Sequence, residues 1–352
     1  MENESYIGPI IYRLPTSDIH LKLDPDHAQF DNQPNPKLIK YGFNNITDSL
    51  DLVRLMNNAH YKTGLYIDFD RTDAGSMSVL GKKAFGVPNS DADFCTLWEI
   101  LQLFGMLNQK QTILTTQSSQ IKNIVSSHQK LSKNKSKIEI YDTLPTNEKF
   151  TIAIRKYSDI DLSEDAIIQL LIDDLSGLIP NKAETGSSLI VQVMSCQTCI
   201  MSEIIYYLST LYQEAYIIKP LASSLLSDEK YLVLCGLKKG IKKFGIEKFS
   251  SKTYLTGLGI TLPDDYVRMI QCLNSELIPK KFNNYCIITE YLANKNYEGA
   301  SYQELYEKQN TNIKNFITTM TDFGNIENIL KQSLAITDTA CNIQNNWSTV
   351  FN

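Results

Sequence analysis

The segment that decides the fold is Lys219-Pro-Leu-Ala-Ser-Ser-Leu-Leu-Ser-Asp-Glu-Lys-Tyr-Leu-Val-Leu-Cys-Gly-Leu237. An apolar run, Lys230 to Cys235, ends this segment, and another apolar run, Ala215 to Ile218, comes directly before it. The two runs are too close for a helical crossover, so we expect two antiparallel strands joined as a hairpin.

Upstream of this hairpin, short apolar runs alternate with amphipathic stretches from about residue 92. We predict strands at 111–115, 137–141, 150–154 and 188–193, and helices at 94–107, 117–131, 163–178 and 201–213. This alternation predicts an α/β domain with a mainly parallel sheet covered on both faces and an antiparallel last strand. Such a sheet is typical of Rossmann-like methyltransferases.

The sequence pattern predicts that the chain has three regions. Residues 1–91 read as an irregular N-terminal extension with an amphipathic stretch at 46–56 and a short strand at 64–70. Residues 92–240 form the α/β domain, and 241–352 read as a helical region. Helices are expected there at 263–277, 283–293, 301–322 and 324–340.

Composition excludes several classes of protein. The 352 residues are 43% hydrophobic and 21% charged, which is enough for a sizeable core. The net charge of −5 gives no global attraction for nucleic acid, although a local basic patch stays open. Seven scattered cysteines fit reduced thiols better than a disulfide framework. No apolar signal core or run of about 18 apolar residues is present, so we expect neither secretion nor a membrane span.

The hairpin segment resembles the end of the catalytic domain of FtsJ-like ribose 2′-O-methyltransferases. The matching residues, in register with the family's pattern, are Lys219, Pro220, Ser223, Ser227, Glu229 and Tyr231. Ser224 stands where the family has arginine, and the strand after Gly186 is similar to the family's glycine-led strand. The helix containing Glu99 and the strand that follows it are similar to the family's entry into the sheet. The C-terminal helices resemble those of FtsJ-like proteins of large DNA viruses.

The resemblance implies a catalytic tetrad of lysine, aspartate, lysine and glutamate, in which the central lysine helps to remove the proton of the ribose hydroxyl. We call the corresponding residues the tetrad positions: Thr96, Lys156, Gln192 and Glu229. Only Glu229 matches the family, and a glutamine at 192 cannot act as an amine base. The resemblance therefore implies a catalytically degenerate copy.

The cofactor loop departs from the family as well. None of the 16 glycines lies between Gly105 and Gly177, so the turn after the first strand carries side chains, among them Thr115, Gln117 and Ser118. A glycine-rich turn would let the backbone approach S-adenosylmethionine. Asp142, after the second strand, is placed to hold a ribose hydroxyl pair, although aspartate is also common at such junctions for structural reasons. We expect no cofactor, or S-adenosylmethionine if the protein is active.

Several cations could form a surface for RNA or a protein partner. They are Lys219, Arg155, Lys156, Lys242, Lys243 and Lys248. A solvated helix face is the plain alternative for the last three. Asp68, Asp70 and Asp73 lack the spacing of a calcium loop, and Cys196 and Cys199 lack a second pair for zinc, so no metal site is expected.

Three functions follow from this reading. The first is a degenerate FtsJ-like protein that serves as a non-catalytic RNA-binding or partner-binding subunit in RNA processing, capping or transcription. The second is an active cap 2′-O-methyltransferase in which Lys156 or another lysine replaces the base. The third is a purely structural scaffold. In each case we expect a protein of the cytoplasm, a virus factory or a virion.

Overall fold

The structure is a computed structural model. It describes residues 8–16, 21, 23–31, 82–87, 91–157, 164–177, 181–194, 196, 198–223, 227–241, 254–294 and 300–350. Several predicted features lie outside the described residues: the amphipathic stretch at 46–56, the strand at 64–70 with its aspartates, and the lysines Lys242, Lys243 and Lys248.

Seven strands form the central sheet. They are β1 (Ile10–Arg13), β3 (Gln111–Thr115), β4 (Ile138–Tyr141), β5 (Phe150–Arg155), β6 (Ala183–Val193), β7 (Tyr212–Lys219) and β8 (Lys230–Leu237), while β2 (Gln29–Asp31) and β9 (Tyr254–Gly257) pair separately. The order across the large sheet is β1-β7-β8-β6-β5-β3-β4. Strands β4, β3, β5 and β6 run parallel, and β8 runs antiparallel to both β6 and β7. The predicted parallel sheet with an antiparallel last strand is confirmed, and the fold is a Rossmann-like α/β fold.

Helices cover both faces of this sheet. They are α1 (Ala92–Leu103), α2 (Ser118–Ser132), α3 (Glu164–Ser176), α4 (Cys199–Leu211), α5 (Asp264–Asn294), α6 (Ala300–Thr321) and α7 (Ile326–Val350). Side chains of β6 alternate between two buried cores: Leu189 and Val191 join α3, α4 and α5, whereas Ile190 joins α1, α2 and α6. Alternation along a strand with apolar residues on both sides is what a sheet covered by two helical layers requires.

Strand β1 was not predicted, because the N-terminal ninety residues read as irregular. It pairs antiparallel with β7, from Ile10 opposite Lys219 to Arg13 opposite Tyr216, and extends the sheet by one strand. Ile11 is buried, and its carbonyl accepts a hydrogen bond of 2.6 Å from the Thr337 hydroxyl on α7. A four-residue strand whose partners lie some two hundred residues away carries too little local pattern to be recognised.

Helix α5 is a single helix where the sequence predicted two. It continues through Pro279, which removes one backbone hydrogen bond but already has a helical φ. Side chains on both sides of the proline anchor the helix to the sheet domain. Asn274 donates to the Cys196 carbonyl at 2.8 Å, and Lys281 pairs with Asp228 at 2.7 Å. Packing on both sides of Pro279 therefore outweighs the local interruption.

One glycine beside the small sheet gives a test of the fold. Gly259 has a φ of +72°, and a Cβ added there would overlap the carbonyl of His27. Gly240 has a φ of +86° with open space around it. We expect Gly259→Ala to lower the free energy of unfolding by about 2 kcal/mol and the control Gly240→Ala by about 1 kcal/mol. Urea denaturation measures both, and equal losses would contradict the contact between Gly259 and His27.

Candidate functional site

Three of the tetrad positions meet at the edge of the sheet where the parallel strands end, which we call the carboxyl edge. Lys156 follows β5, Gln192 lies near the end of β6, and Glu229 comes directly before β8. Because β8 is antiparallel to β6, with Tyr231 opposite Gln192, the beginning of β8 lies beside the end of β6. The hairpin recognised in the sequence therefore brings Glu229 next to Gln192.

The carboxylate of Glu229 is the centre of a buried cluster. Its Oε1 accepts hydrogen bonds from Gln192 Nε2 at 3.0 Å and from the Tyr231 hydroxyl at 2.7 Å. The same oxygen lies 3.6 Å from Lys156 Nζ, and Oε2 accepts from the Ser223 hydroxyl at 3.1 Å. Burial alone would raise the pKa of Glu229. The charge of Lys156 and the bond from Tyr231, among other contacts, outweigh burial, so the pKa is lowered.

Lys156 joins this cluster to the first turn of α1. Its Nζ lies 2.5 Å from Asp93 Oδ1, and its side chain is only 5% exposed. Asp93 lies one turn before Thr96, which is itself buried. In the implied tetrad a lysine would stand on this helix and an aspartate after β5. Here the helix contributes a carboxylate, Asp93, and the residue after β5 is a lysine, Lys156. The two charges are therefore in the reverse order from that of the implied tetrad.

Gln192 is held in one orientation by its neighbours. Its Oε1 accepts a bond of 2.7 Å from the backbone N–H of Tyr157, while its Nε2 donates to Glu229. An amide does not titrate near neutral pH, so Gln192 contributes hydrogen bonds to the cluster and no proton transfer. We call Asp93, Lys156, Gln192, Ser223, Glu229 and Tyr231 the Glu229 cluster.

Three cations predicted to form a positive rim for RNA are buried against acceptors of the chain itself. Lys219 is 4% exposed and donates to the Ser223 hydroxyl and to the carbonyls of Ser227 and Glu229, at 2.8–3.0 Å. Arg155 pairs with Asp174 at 3.5 Å, and Lys156 pairs as described. This placement differs from the predicted rim. A buried cation needs such partners. To reach a phosphate, each of these side chains would have to break its hydrogen bonds or ion pair within the chain.

The loop after β3 is crossed by side-chain hydrogen bonds. The Thr115 hydroxyl accepts from the Gln117 N–H at 3.0 Å, and the Ser118 hydroxyl donates to Asp142 Oδ2 at 3.1 Å. Gln120 Nε2 donates at 3.0 Å to Asp91, the residue that caps α1. Ser118 therefore contacts one of the two carboxylate oxygens of Asp142, and Gln120 joins the first turn of α2 to the residue that caps α1.

Glu99 links α1 to the loop after β7. It is fully buried, and its two oxygens accept from the N–H groups of Leu221 and Ala222 at 2.9 and 3.1 Å. Burial raises the pKa of this carboxyl to about 7, although the two backbone bonds act in the opposite direction. The sequence indicated only that Glu99 lies in the entry helix. The signal for burial was the apolar residues one turn before and after it, Cys95 and Leu103.

The remaining sequence candidates have structural surroundings. Cys199 begins α4 and Cys196 lies just before it, so both are thiols at the entry of a helix. Within the described ranges, no group of three or more His, Cys, Asp or Glu side chains could hold a metal ion. Trp98 is buried and donates to the Met320 carbonyl at 3.0 Å. No helix in the described part of the chain has the length and apolar character to cross a membrane.

A cleft of about 830 Å³ opens at the opposite edge of the sheet. It is lined by the loop after α1, the beginning of β6 and the start of α7, including Gln109, Thr185 and Glu327. None of the tetrad positions lines it. Ligands of open α/β sheets bind at the carboxyl ends of the parallel strands. The Glu229 cluster lies at those ends and the cleft does not, so the cluster is the candidate site.

Fold and site together define a Rossmann-like α/β protein with a buried ionic cluster at the carboxyl edge of its sheet. No model of a known protein family matches the sequence. The chain is similar to a protein of Acanthamoeba polyphaga mimivirus described as "Uncharacterized protein R383", with 38% identity over 338 residues that cover 95% of this chain and 96% of the relative. The chain belongs to the same family as this viral protein.

Proposed function

We propose that the protein is a catalytically degenerate FtsJ-like ribose 2′-O-methyltransferase that acts as a non-catalytic subunit of an RNA-processing assembly, in capping or transcription. The observation that carries this proposal is the Glu229 cluster. It contains three of the four implied tetrad positions, with Gln192 in place of the base, and Asp93 instead of a lysine contacts Lys156 from α1. The viral relative is consistent with an RNA-processing system encoded by a virus.

The strand order supports a methyltransferase ancestry. Strand β8 is inserted between β6 and β7 and is antiparallel to both. The matching hairpin residues lie where the resemblance requires them: Lys219 at the end of β7, Glu229 before β8 and Tyr231 within it. The strand order therefore supports the class of protein that the sequence motif suggests.

The loop geometry supports the absence of the cofactor. Two side-chain hydrogen bonds hold the residues after β3 in their present arrangement: Ser118 donates to Asp142, and Gln120 donates to Asp91. The turn also lacks the glycines that would let a ligand approach the backbone. Opening this loop for a cofactor would require the loss of both side-chain bonds.

One observation favours the alternative of an active enzyme. Lys156 places an ammonium in the cluster 3.6 Å from Glu229, so a lysine is present at the site although not at the position of the implied base. As a base it would have to give up a proton while flanked by two carboxylates, Asp93 and Glu229. To act as a base, Lys156 would therefore have to lose the ion pairs that hold it beside Asp93 and Glu229.

Calorimetric titration with S-adenosylmethionine separates the two functions. We expect no heat of binding up to millimolar cofactor, and no transfer of a labelled methyl group to capped RNA. An active ribose 2′-O-methyltransferase in the same buffers serves as the positive control. Micromolar binding, or methyl transfer that is lost in Lys156→Met, would replace the proposal with the active enzyme.

RNA binding tests the role as a subunit. The described cations Arg155, Lys156 and Lys219 are occupied by the chain itself, so RNA contacts would depend on the predicted cluster Lys242, Lys243 and Lys248. If the subunit contacts RNA, charge removal at these three lysines together should reduce the affinity at least tenfold at low salt and flatten its salt dependence. The matched control removes three lysines from the described part of the chain whose side chains are exposed: Lys137, Lys280 and Lys331. RNA binding that is absent, or that does not depend on salt, would mean that the subunit contacts only proteins.

A further inference from the structure

Three lysines from different elements converge on one short segment at the carboxyl edge, and we call them the lysine triad. They are Lys219 at the end of β7, Lys230 at the start of β8 and Lys281 on α5, and they are 4%, 4% and 7% exposed. The ammonium group of each lysine bonds to the segment 227–229, which lies directly before β8. Three buried positive charges therefore lie beside three consecutive residues.

Most acceptors of the triad carry no net charge. Lys219 donates to a hydroxyl and two carbonyls, as described above, and Lys230 Nζ donates to the Asp228 carbonyl at 2.8 Å. Lys281 pairs with a carboxylate, since its Nζ lies 2.7 Å from Asp228 Oδ2. Carbonyl groups orient the ammonium groups but do not neutralise them, so the segment brings one carboxylate of Asp228 against three cations.

The triad and the Glu229 cluster form one ionic network. Lys219 connects them, because it donates both to the Glu229 carbonyl and to the Ser223 hydroxyl. The contacts given above join four ammonium groups and three carboxylates: Lys156, Lys219, Lys230, Lys281, Asp93, Asp228 and Glu229. These contacts leave one positive charge in excess. A buried charge is costly without a counter-charge, so the network favours the binding of an anion.

The triad lines a small pocket of about 20 Å³. Leu277 and Ile278 of α5 form an apolar part of its wall. The Asp228 side chain, which also lines the pocket, is 33% exposed, so solvent reaches the pocket at this residue. A space of this size holds about one water-sized atom. Both the size of the pocket and the excess of one charge therefore fit a single anionic oxygen.

We propose that the lysine triad binds a phosphate group, which places one of its oxygens in the pocket and its remaining oxygens toward the solvent at Asp228. Lys230 donates to the bound oxygen. An ammonium has three N–H groups, and the described residues give that of Lys230 one acceptor, the Asp228 carbonyl. Lys219 and Lys281 keep their bonds to the chain and contribute their charges, so no bond of the triad has to break.

The electrostatics of Asp228 support an anion in this pocket. Desolvation raises the pKa of Asp228, but the charges of Lys281 and Lys230 outweigh it, so the pKa is lowered. The cations therefore dominate the field at this carboxylate. Asp228 itself repels a bound phosphate. Removal of its charge should strengthen phosphate binding, whereas removal of the Lys230 ammonium should weaken it.

The experiment titrates the full chain with inorganic phosphate in a calorimeter at neutral pH, with sodium chloride holding the ionic strength constant. We expect binding in the millimolar range or tighter. Lys230→Met should weaken it by about tenfold, because a charged donor is lost. Asp228→Asn should strengthen it by about threefold. The matched control is Lys238→Met, at the other end of β8, where Nζ donates to the Thr210 carbonyl at 2.9 Å. It should bind phosphate as the unsubstituted protein does.

A second titration identifies the source of the phosphate, which is either free phosphate or the end of an RNA chain. It uses two RNA oligomers that differ only in a terminal phosphate or a terminal hydroxyl. Tighter binding of the phosphorylated oligomer that is lost in Lys230→Met assigns the pocket to an RNA end, a contact additional to the predicted lysine cluster. Equal binding of both oligomers, or a preference that persists in Lys230→Met, assigns the pocket to free phosphate.

The titration with inorganic phosphate decides the proposal. The absence of binding against the chloride background would overturn it, and so would unchanged binding in a folded Lys230→Met. If Lys230→Met fails to fold, Asp228→Asn decides, because unchanged or weaker binding in that variant would contradict an anion in the pocket. Only the comparison of the RNA oligomers rests on the proposed function. The titration with inorganic phosphate is independent of whether the protein binds S-adenosylmethionine or RNA.

Discussion

Lys156→Met should lower the free energy of unfolding by about 4 kcal/mol, because it leaves a buried carboxylate without its cation. The Lys156 side chain is 5% exposed and the Glu229 side chain 9% exposed, so water cannot replace the lost ammonium. Burial raises the pKa of Glu229, whereas the charge of Lys156 lowers it. The substitution removes this charge and leaves the effect of burial. Urea denaturation at neutral pH, with the midpoint and slope fitted separately, measures the loss.

A matched ion pair on the surface provides the control. Lys331 pairs with Glu327 at 2.7 Å, but their side chains are 68% and 78% exposed. Lys331→Met should leave the free energy of unfolding unchanged within the error of the measurement, because exposed pairs contribute little. Equal effects of the two substitutions would show that Lys156 is not buried in an ionic cluster.

A double substitution separates the loss of the pair from the loss of packing. Glu229→Gln keeps the shape of the side chain and removes its charge. Combined with Lys156→Met, it should recover about 2 kcal/mol, because no uncompensated charge then remains at the centre of the cluster. Asp93 also loses its partner, but its side chain is 45% exposed and solvent can replace the contact. A double variant no more stable than Lys156→Met would contradict the ionic interpretation.

The sheet domain could be predicted from the sequence because its strands are apolar on both faces. Strand β3 has the predicted bounds, and β5 and β8 extend by one or two residues beyond them. Strand β6 begins at Ala183, five residues before its predicted start, since the polar residues 184–188 give no apolar signal. Strand β1 was missed because its pairing with β7 is determined by distant residues and not by its own four.

The site could be predicted only in part. The hairpin pattern located Glu229, and the strand pattern located Gln192 and Lys156. Asp93 was missed, because its contact with Lys156 joins two elements more than sixty residues apart. The available signal was an acidic residue three positions before Thr96, on the same face of a predicted helix.

The burial of Lys219 could not be predicted, because two of its three acceptors are main-chain carbonyls. The side chain donates to the carbonyls of Ser227 and Glu229 within the turn that precedes β8. Carbonyl positions depend on the path of the backbone and leave no mark on residue type. A lysine at the end of a strand reads as exposed unless the geometry of the following turn is known.

Between pH 4.5 and pH 8, the difference in the free energy of unfolding between Glu99→Gln and the wild type should change by about 3 kcal/mol. The pKa of Glu99 is raised by burial to about 7, above the value of the unfolded chain. Between those two pKa values the folded state binds more protons than the unfolded state. The contribution of Glu99 to stability is therefore present at low pH and is lost as the pH rises toward 7.

The glutamine variant removes this titration. At pH 8 the wild-type protein carries the cost of a buried charge that the variant does not have. The amide nitrogen of the glutamine cannot accept a hydrogen bond from the N–H of Leu221 or Ala222, so the variant loses one hydrogen bond at every pH. This loss lowers its free energy of unfolding by the same amount at every pH. The stability of Glu99→Gln should thus rise relative to wild type from pH 4.5 to pH 8.

The comparison is made by urea denaturation of both proteins across this pH range. Glu327→Gln is the matched control, since Glu327 lies on the surface of α7 and its pKa is lowered by Lys331, in the direction opposite to that of Glu99. Its pH profile should follow that of the wild type. Parallel profiles for Glu99→Gln and wild type would mean that Glu99 ionises normally, and that the link between α1 and the loop after β7 is open to water.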